Sequence, residues 1–110
     1  MKVTELMHYR QSELRDLFAQ LPNPDPRALH ALGDAVSGTE PQTLATFIDM
    51  VNGWLAARLD PAQRGATQMA KTAQAWEKVN RAARDVEIYN LERKPLVFSV
   101  FGWLAEAARN

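Results

Sequence analysis

Apolar residues recur along this chain every three or four positions, interrupted at four places by proline, glycine or asparagine, and the pattern predicts five helices. Val3, Leu6, Met7, Leu14, Leu17, Phe18 and Leu21 fall on one side of a first helix, with Glu5, Glu13, Arg15 and Asp16 opposite. Pro22-Asn23-Pro24-Asp25-Pro26 stops it, because proline lacks an amide donor and disfavours a helical predecessor. Asp25 then Pro26 reads as N-cap and first residue of a second helix. That helix carries Leu29, Leu32, Ala35 and Val36 on one face and ends near Ser37-Gly38, where glycine can take the left-handed cap conformation.

Thr39 and Gln42 have the spacing of a capping box. The third helix follows with Leu44, Phe47, Ile48, Val51, Trp54, Leu55 and Leu59 at period 3.6. Gly53 lies inside it at a cost of about 1 kcal/mol relative to alanine, which predicts close helix packing or a local weakness. After Asp60-Pro61-Ala62-Gln63-Arg64-Gly65, a fourth helix runs from Ala66 to Ile88, with Met69, Thr72, Ala73, Trp76, Val79, Ala83 and Val86 as its expected buried stripe. Asn90 reads as the N-cap of the fifth.

The fifth helix organises the rest. At 100° per residue it shows two apolar stripes, Val97/Phe101/Leu104/Ala108 flanked by Phe98 and Ala105, and Leu96/Val100/Trp103/Ala107. Only Glu92, Ser99, Gly102 and Glu106 remain between them, so this helix must be covered on two sides. The run Leu96-Val97-Phe98-Ser99-Val100-Phe101 also has the content of a buried strand, but its continuation through Leu104-Ala105-Glu106-Ala107-Ala108 favours helix. Pro95 would leave a carbonyl unpaired in a helix begun at Leu91, so the start lies at Asn90 or a turn later. The expected fold class is all-α, a single bundle-like domain of five helices over residues 1–110.

Composition adds bounds. The chain of 110 residues has zero formal net charge, divided as −3 over residues 1–60 and +3 over residues 61–110, too mild a contrast to indicate a nucleic-acid partner by itself. Cysteine is absent, which excludes a disulfide framework and a thiolate metal site. No secretory leader is visible, and the run from Leu96 to Ala105 is about half the length that spans a bilayer. A cytoplasmic location with no membrane partner is the expectation.

Candidate chemistry is sparse. His30 and Asp34 are four residues apart on one helix face, short of the three ligands a metal site needs. No phosphate loop, nucleophile elbow, zinc-binding His-Glu-x-x-His pair or dinucleotide turn is present. Ser99 lies in the apolar helix, where its hydroxyl ordinarily bonds the preceding turn. No catalytic residue, cofactor or metal is expected, and no enzymatic activity of the domain on its own. Lys71, Lys78, Arg81 and Arg84 form a basic face that a helical nucleic-acid-binding module could use, although Glu77, Asp85, Glu87 and Glu92 are interspersed with it. An unrelated small helical regulator is the other alternative.

At Asn90-Leu91-Glu92-Arg93-Lys94, with Trp76 upstream and Leu104-Ala105-Glu106-Ala107 downstream, the chain resembles the C-terminal domain of the delta-prime subunit of bacterial DNA polymerase III, a clamp-loader component. Leu29-His30-Ala31-Leu32-Gly33-Asp34, between a proline-rich turn and Gly38, is similar to that domain's second helix. Glu92 and Pro95 depart from the Asn-Leu-Asp-Arg-Lys-Gln run of the family. The resemblance implies an excised collar domain, lacking the N-terminal AAA+-type domains, that helps hold the clamp-loader pentamer together. Its implied partners are the delta and gamma/tau subunits, with no direct DNA contact and with self-association plausible for the isolated domain. Leu96, Val100 and Trp103 are then the expected apolar contributors to the partner interface, and Arg93 and Lys94 the polar ones. The competing expectation is that the second stripe of the last helix packs within its own domain.

Overall fold

The computed structural model describes residues 3–38, 40–59 and 65–109, with side chains from Gln11 onward. Five helices follow in order: α1 (Val3–Gln20), α2 (Pro26–Val36), α3 (Pro41–Ala57), α4 (Ala66–Tyr89) and α5 (Arg93–Ala108). No strand occurs among the described residues, so the Leu96–Phe101 run is helical. Among the described residues no helix is long and apolar enough to cross a membrane.

α5 is the centre. Val97, Val100, Phe101 and Leu104 are fully enclosed, and Leu96 and Ala107 nearly so. Its most extensive contacts are with α4 and α2. Phe18 from α1 and Phe47 from α3 stack on the Phe101 ring at 5.9 and 6.4 Å between centroids, and Trp54 of α3 stacks on Phe18 at 6.2 Å. Both apolar stripes of α5 are thus covered from within the chain. Burying each large side chain contributes about 1.5–3 kcal/mol, so this cluster is the main source of stability.

The helix ends are explained residue by residue. Asp25 caps α2 as its sequence predicts, accepting from the Ala28 amide at 3.4 Å, and Pro26 is the first helical residue. α2 does not end on a left-handed glycine. Ser37 closes it in right-handed conformation, its hydroxyl donating to the Gly33 carbonyl, and no described glycine has positive φ. α3 begins at Pro41 after Glu40, which makes no side-chain cap; Thr39, and with it the capping-box expectation, lies outside the described residues. The break at 60–64 also lies outside them.

Asn90 belongs to the end of α4, not the start of α5. It takes the left-handed conformation (φ 51°, ψ 49°), and the Leu91 amide donates back to the Val86 carbonyl at 3.0 Å, the six-to-one bond of a Schellman end. Asparagine tolerates this conformation almost as well as it caps an N-terminus, which is why sequence alone misplaces it. α5 therefore starts at Arg93, and Pro95 falls in its first turn, where amides have no intrahelical acceptor and a missing donor costs nothing.

The buried stripe of α4 keeps Thr72, Val79 and Val86 from the expected one and departs from it at Ala73 and Trp76. Thr72, Ala75, Val79 and Val86 are buried, whereas Ala73 is exposed and Trp76 is 48% exposed. The Thr72 hydroxyl donates to the Gln68 carbonyl at 2.9 Å, which satisfies it inside the core. Asn52 and Asn80 exchange two amide hydrogen bonds at 2.9 and 3.0 Å and join α3 to α4. At the far end of α5, Arg58, lying 4.7 Å over the Trp54 ring, donates to the Ala107 carbonyl, and Gln68 donates to the Arg109 carbonyl at 2.9 Å.

Gly53 is exposed, and a methyl group added there meets nothing within 4 Å, so no close helix approach requires it. Gly53→Ala is expected to raise unfolding stability by about 0.5–1 kcal/mol through backbone entropy alone. Phe101→Ala, which removes the ring on which two others stack, is expected to lower it by about 3–5 kcal/mol. Urea or guanidinium denaturation checks both, with an unchanged m value for Gly53→Ala.

Candidate partner interface

The structure separates the five expected interface residues into two groups. Leu96 (5% exposed) and Val100 (0%) belong to the hydrophobic core and offer a neighbour almost no surface in this conformation. Trp103 is half-buried against that core, with its remaining surface in the groove between α4 and α5.

Arg93 and Lys94 are engaged within the chain. The Arg93 guanidinium donates to the carbonyls of Glu40 (2.8 Å) and Val36 (3.4 Å), bridging the end of α2 and the start of α3. A cation at the carbonyl end of α2 also matches the helix dipole. Lys94 crosses α2 at Gly33, where an added Cβ would meet the Lys94 Cγ at 3.0 Å, and reaches Asp34 at 2.6 Å. Its ammonium also stands 3.2 Å from His30 Nδ1, and the His30 ring meets Phe98 edge-on at 5.9 Å. The hydrogen bond from Lys94 holds the Asp34 carboxyl below its ordinary value. With an ammonium already seated between His30 and Asp34, the pair is an ion-pair network rather than a ligand set, and no group of three metal-ligating side chains stands together among the described residues.

Among the described residues, the large apolar side chains left to solvent are Leu59, Trp76, Ile88, Tyr89, Leu91 and Phe98, and three of them stand at the end of α4 and the turn that follows it. Ile88, Tyr89 and Leu91 are 63%, 68% and 52% exposed, three large apolar side chains within one helical turn and its exit. Periodicity could not single them out, because they do not form a stripe. Leu91 stands between two depressions. One, of ≈ 300 Å³, runs between α4 and α5 over Ala82, Val86, Leu96 and Trp103, with Asp85 and Glu92 on its rim. The other, of ≈ 390 Å³, lies toward α3, between Pro41, Leu44, Glu87 and Arg93. Past Trp103 the α4/α5 groove continues into a smaller hollow of ≈ 50 Å³ beside Lys71 and Lys78.

The basic face is divided by this geometry. Lys78, Arg81 and Arg84 are exposed, while Lys71 is half-buried in the groove. Comparison with family models, with curated proteins and with solved structures finds no match to this chain.

Because Asp34 is held ionised by Lys94, its contribution to stability is full above the ordinary carboxylate value of 3.8 and is lost as pH falls through the lowered folded value. The difference in Tm between the parent chain and Asp34→Asn is therefore expected to be small, since the pair is solvent-exposed, and constant from neutral pH to about 5. It should close as pH drops below 3.8, as thermal melts over that range would show.

Proposed function

We infer that this domain is a subunit-association module of the DNA polymerase III clamp loader, the collar piece of its delta-prime subunit, acting in the cytoplasm as part of the pentamer that places the sliding clamp on primed DNA. The observation that carries the reading is the exposure of Ile88, Tyr89 and Leu91 at the end of α4 and its exit, with Leu91 lining the α4/α5 groove. Large apolar side chains left to solvent beside a groove are the kind of surface on which a protein contact is built. Leu91 also lies on the segment that resembles the family, and Ile88 and Tyr89 come just before it. In Asn90-Leu91-Glu92-Arg93-Lys94, three residues serve the fold, Asn90 by its left-handed turn and Arg93 and Lys94 by their ties to α2 and α3. Leu91 turns outward and Glu92 stands exposed on the groove rim.

On this reading the delta and gamma/tau subunits are the partners, and neighbouring collar domains bury apolar surface around Leu91 and Trp103, with charged groups at the rim. Size-exclusion chromatography with light scattering, on the domain alone and mixed with the C-terminal domains of those subunits, tests it. A defined heteromeric peak is expected, and none at tens of micromolar would count against the reading. Ile88→Ser combined with Leu91→Ser is expected to weaken association at least tenfold, about 1.4 kcal/mol, with little change in unfolding midpoint. Val100→Ala should do the reverse, costing about 2 kcal/mol of stability while leaving affinity unchanged in the folded fraction.

A further inference from the structure

We propose that the α4/α5 groove receives a single amphipathic helix of the partner protein, about four turns long, with cationic side chains toward one end and acidic ones toward the other. The inference deepens the association reading and rests on it for the choice of a protein partner.

The floor of the groove is apolar, with Leu91 at one end, Leu96 beneath and Trp103 in the middle, shared by the larger and smaller hollows. Its rim is charged with opposite sign at the two ends. Asp85 and Glu92 stand at the Leu91 end, and Lys71 and Lys78 at the other.

These four charges are uncommitted. The ion pairs seen among the described residues join Lys94 to Asp34, with His30 beside them, and Arg109 to Glu106, and none includes Lys71, Lys78, Asp85 or Glu92. Glu106 also borders the basic end, but Arg109 already holds it at 2.9 Å, so that end keeps its positive sign. Arg81, one turn before Asp85 on α4, makes no ion pair with it. Charges left unpaired beside an apolar floor select a guest by electrostatic complementarity, which sets register and suppresses wrong partners.

Length follows from helix rise. Lys71 and Asp85 are separated by about 21 Å along α4 at 1.5 Å per residue, the length of about 14 residues of a guest helix laid beside it. Leu91 and Trp103 are the accessible apolar points of the groove, against which a guest would set anchors repeating at one- and two-turn spacing. A β-strand guest would need an open sheet edge, and no strand occurs among the described residues.

The test titrates the 110-residue chain with three labelled 15-residue helix-forming peptides that share one leucine face and differ in charge. One carries lysines at one end and glutamates at the other, one only lysines, one only glutamates. Fluorescence anisotropy should show the polarised peptide binding at least tenfold tighter than either uniform one, with affinity falling as salt rises. Asp85→Lys with Glu92→Lys makes the rim uniformly basic and should transfer the preference to the all-glutamate peptide. Equal binding of the three, no binding of any at millimolar concentration, or a preference unmoved by the double variant would overturn the proposal.

The same double variant, mixed with the delta and gamma/tau collar domains, keeps the two ideas apart. Undiminished association would remove the groove as the interface and leave the collar reading standing. Peptide preference without any collar association would leave the groove and remove that reading.

Discussion

A helix that is apolar around most of its circumference cannot sit at the edge of a bundle, and this constraint places every other element of the domain. α5 presents Val97, Phe101 and Leu104 to one side and Leu96, Val100 and Ala107 to another, all enclosed. α4 and α2 supply the most extensive cover, while α1 and α3 each send one phenylalanine onto the Phe101 ring. The rings stack at offset distances close to 6 Å, the separation at which aromatic faces add modest attraction to simple burial. Once Phe101 is so surrounded, the positions of α1 and α3 follow from their own single stripes.

Polar contacts then orient what burial brings together. Backbone carbonyls at helix ends need donors, and the chain supplies them from distant side chains. Arg93 serves the end of α2, and Arg58 and Gln68 serve the end of α5. The paired amides of Asn52 and Asn80 fix α3 against α4 at a point where a purely apolar contact would tolerate sliding. Each bond adds only about 1 kcal/mol, but directional contacts at the helix ends select one arrangement among several of similar burial.

Most of the fold was legible because helix period, proline breaks and the Asp25 cap are local signals that the tertiary structure leaves intact. The misreadings have a common origin in residues with two uses. Asparagine serves as N-cap and as left-handed terminator, and the choice at Asn90 depends on where Pro95 can be tolerated three residues into a helix begun at Arg93. Of the two readings of Gly53, close packing fails because its side of α3 faces solvent, and the local weakness stands. On α4 the large Trp76 draws the inferred stripe toward itself, although the true line of burial runs through Thr72, Ala75, Val79 and Val86, and small residues weigh little in a hydrophobic pattern.

The same distinction governs the candidate site. An over-apolar helix invites two explanations, a partner or a second neighbour inside the chain, and periodicity cannot choose between them. Here Leu96 and Val100 are buried in the domain's own core, so those residues report on folding. Trp103 is the only member of their stripe that is not buried, and it lines the groove with Leu96 beneath it. Surface that the fold does not use appears instead at Ile88, Tyr89 and Leu91, which share no helical face and leave no periodic trace. A partner that docks there would meet exposed side chains on backbone fixed by the Asn90 turn, without unpacking α5. Ordering cost on binding is then confined to a few exposed rotamers, so a helix meeting this edge can associate at modest buried area while the core keeps its own stability.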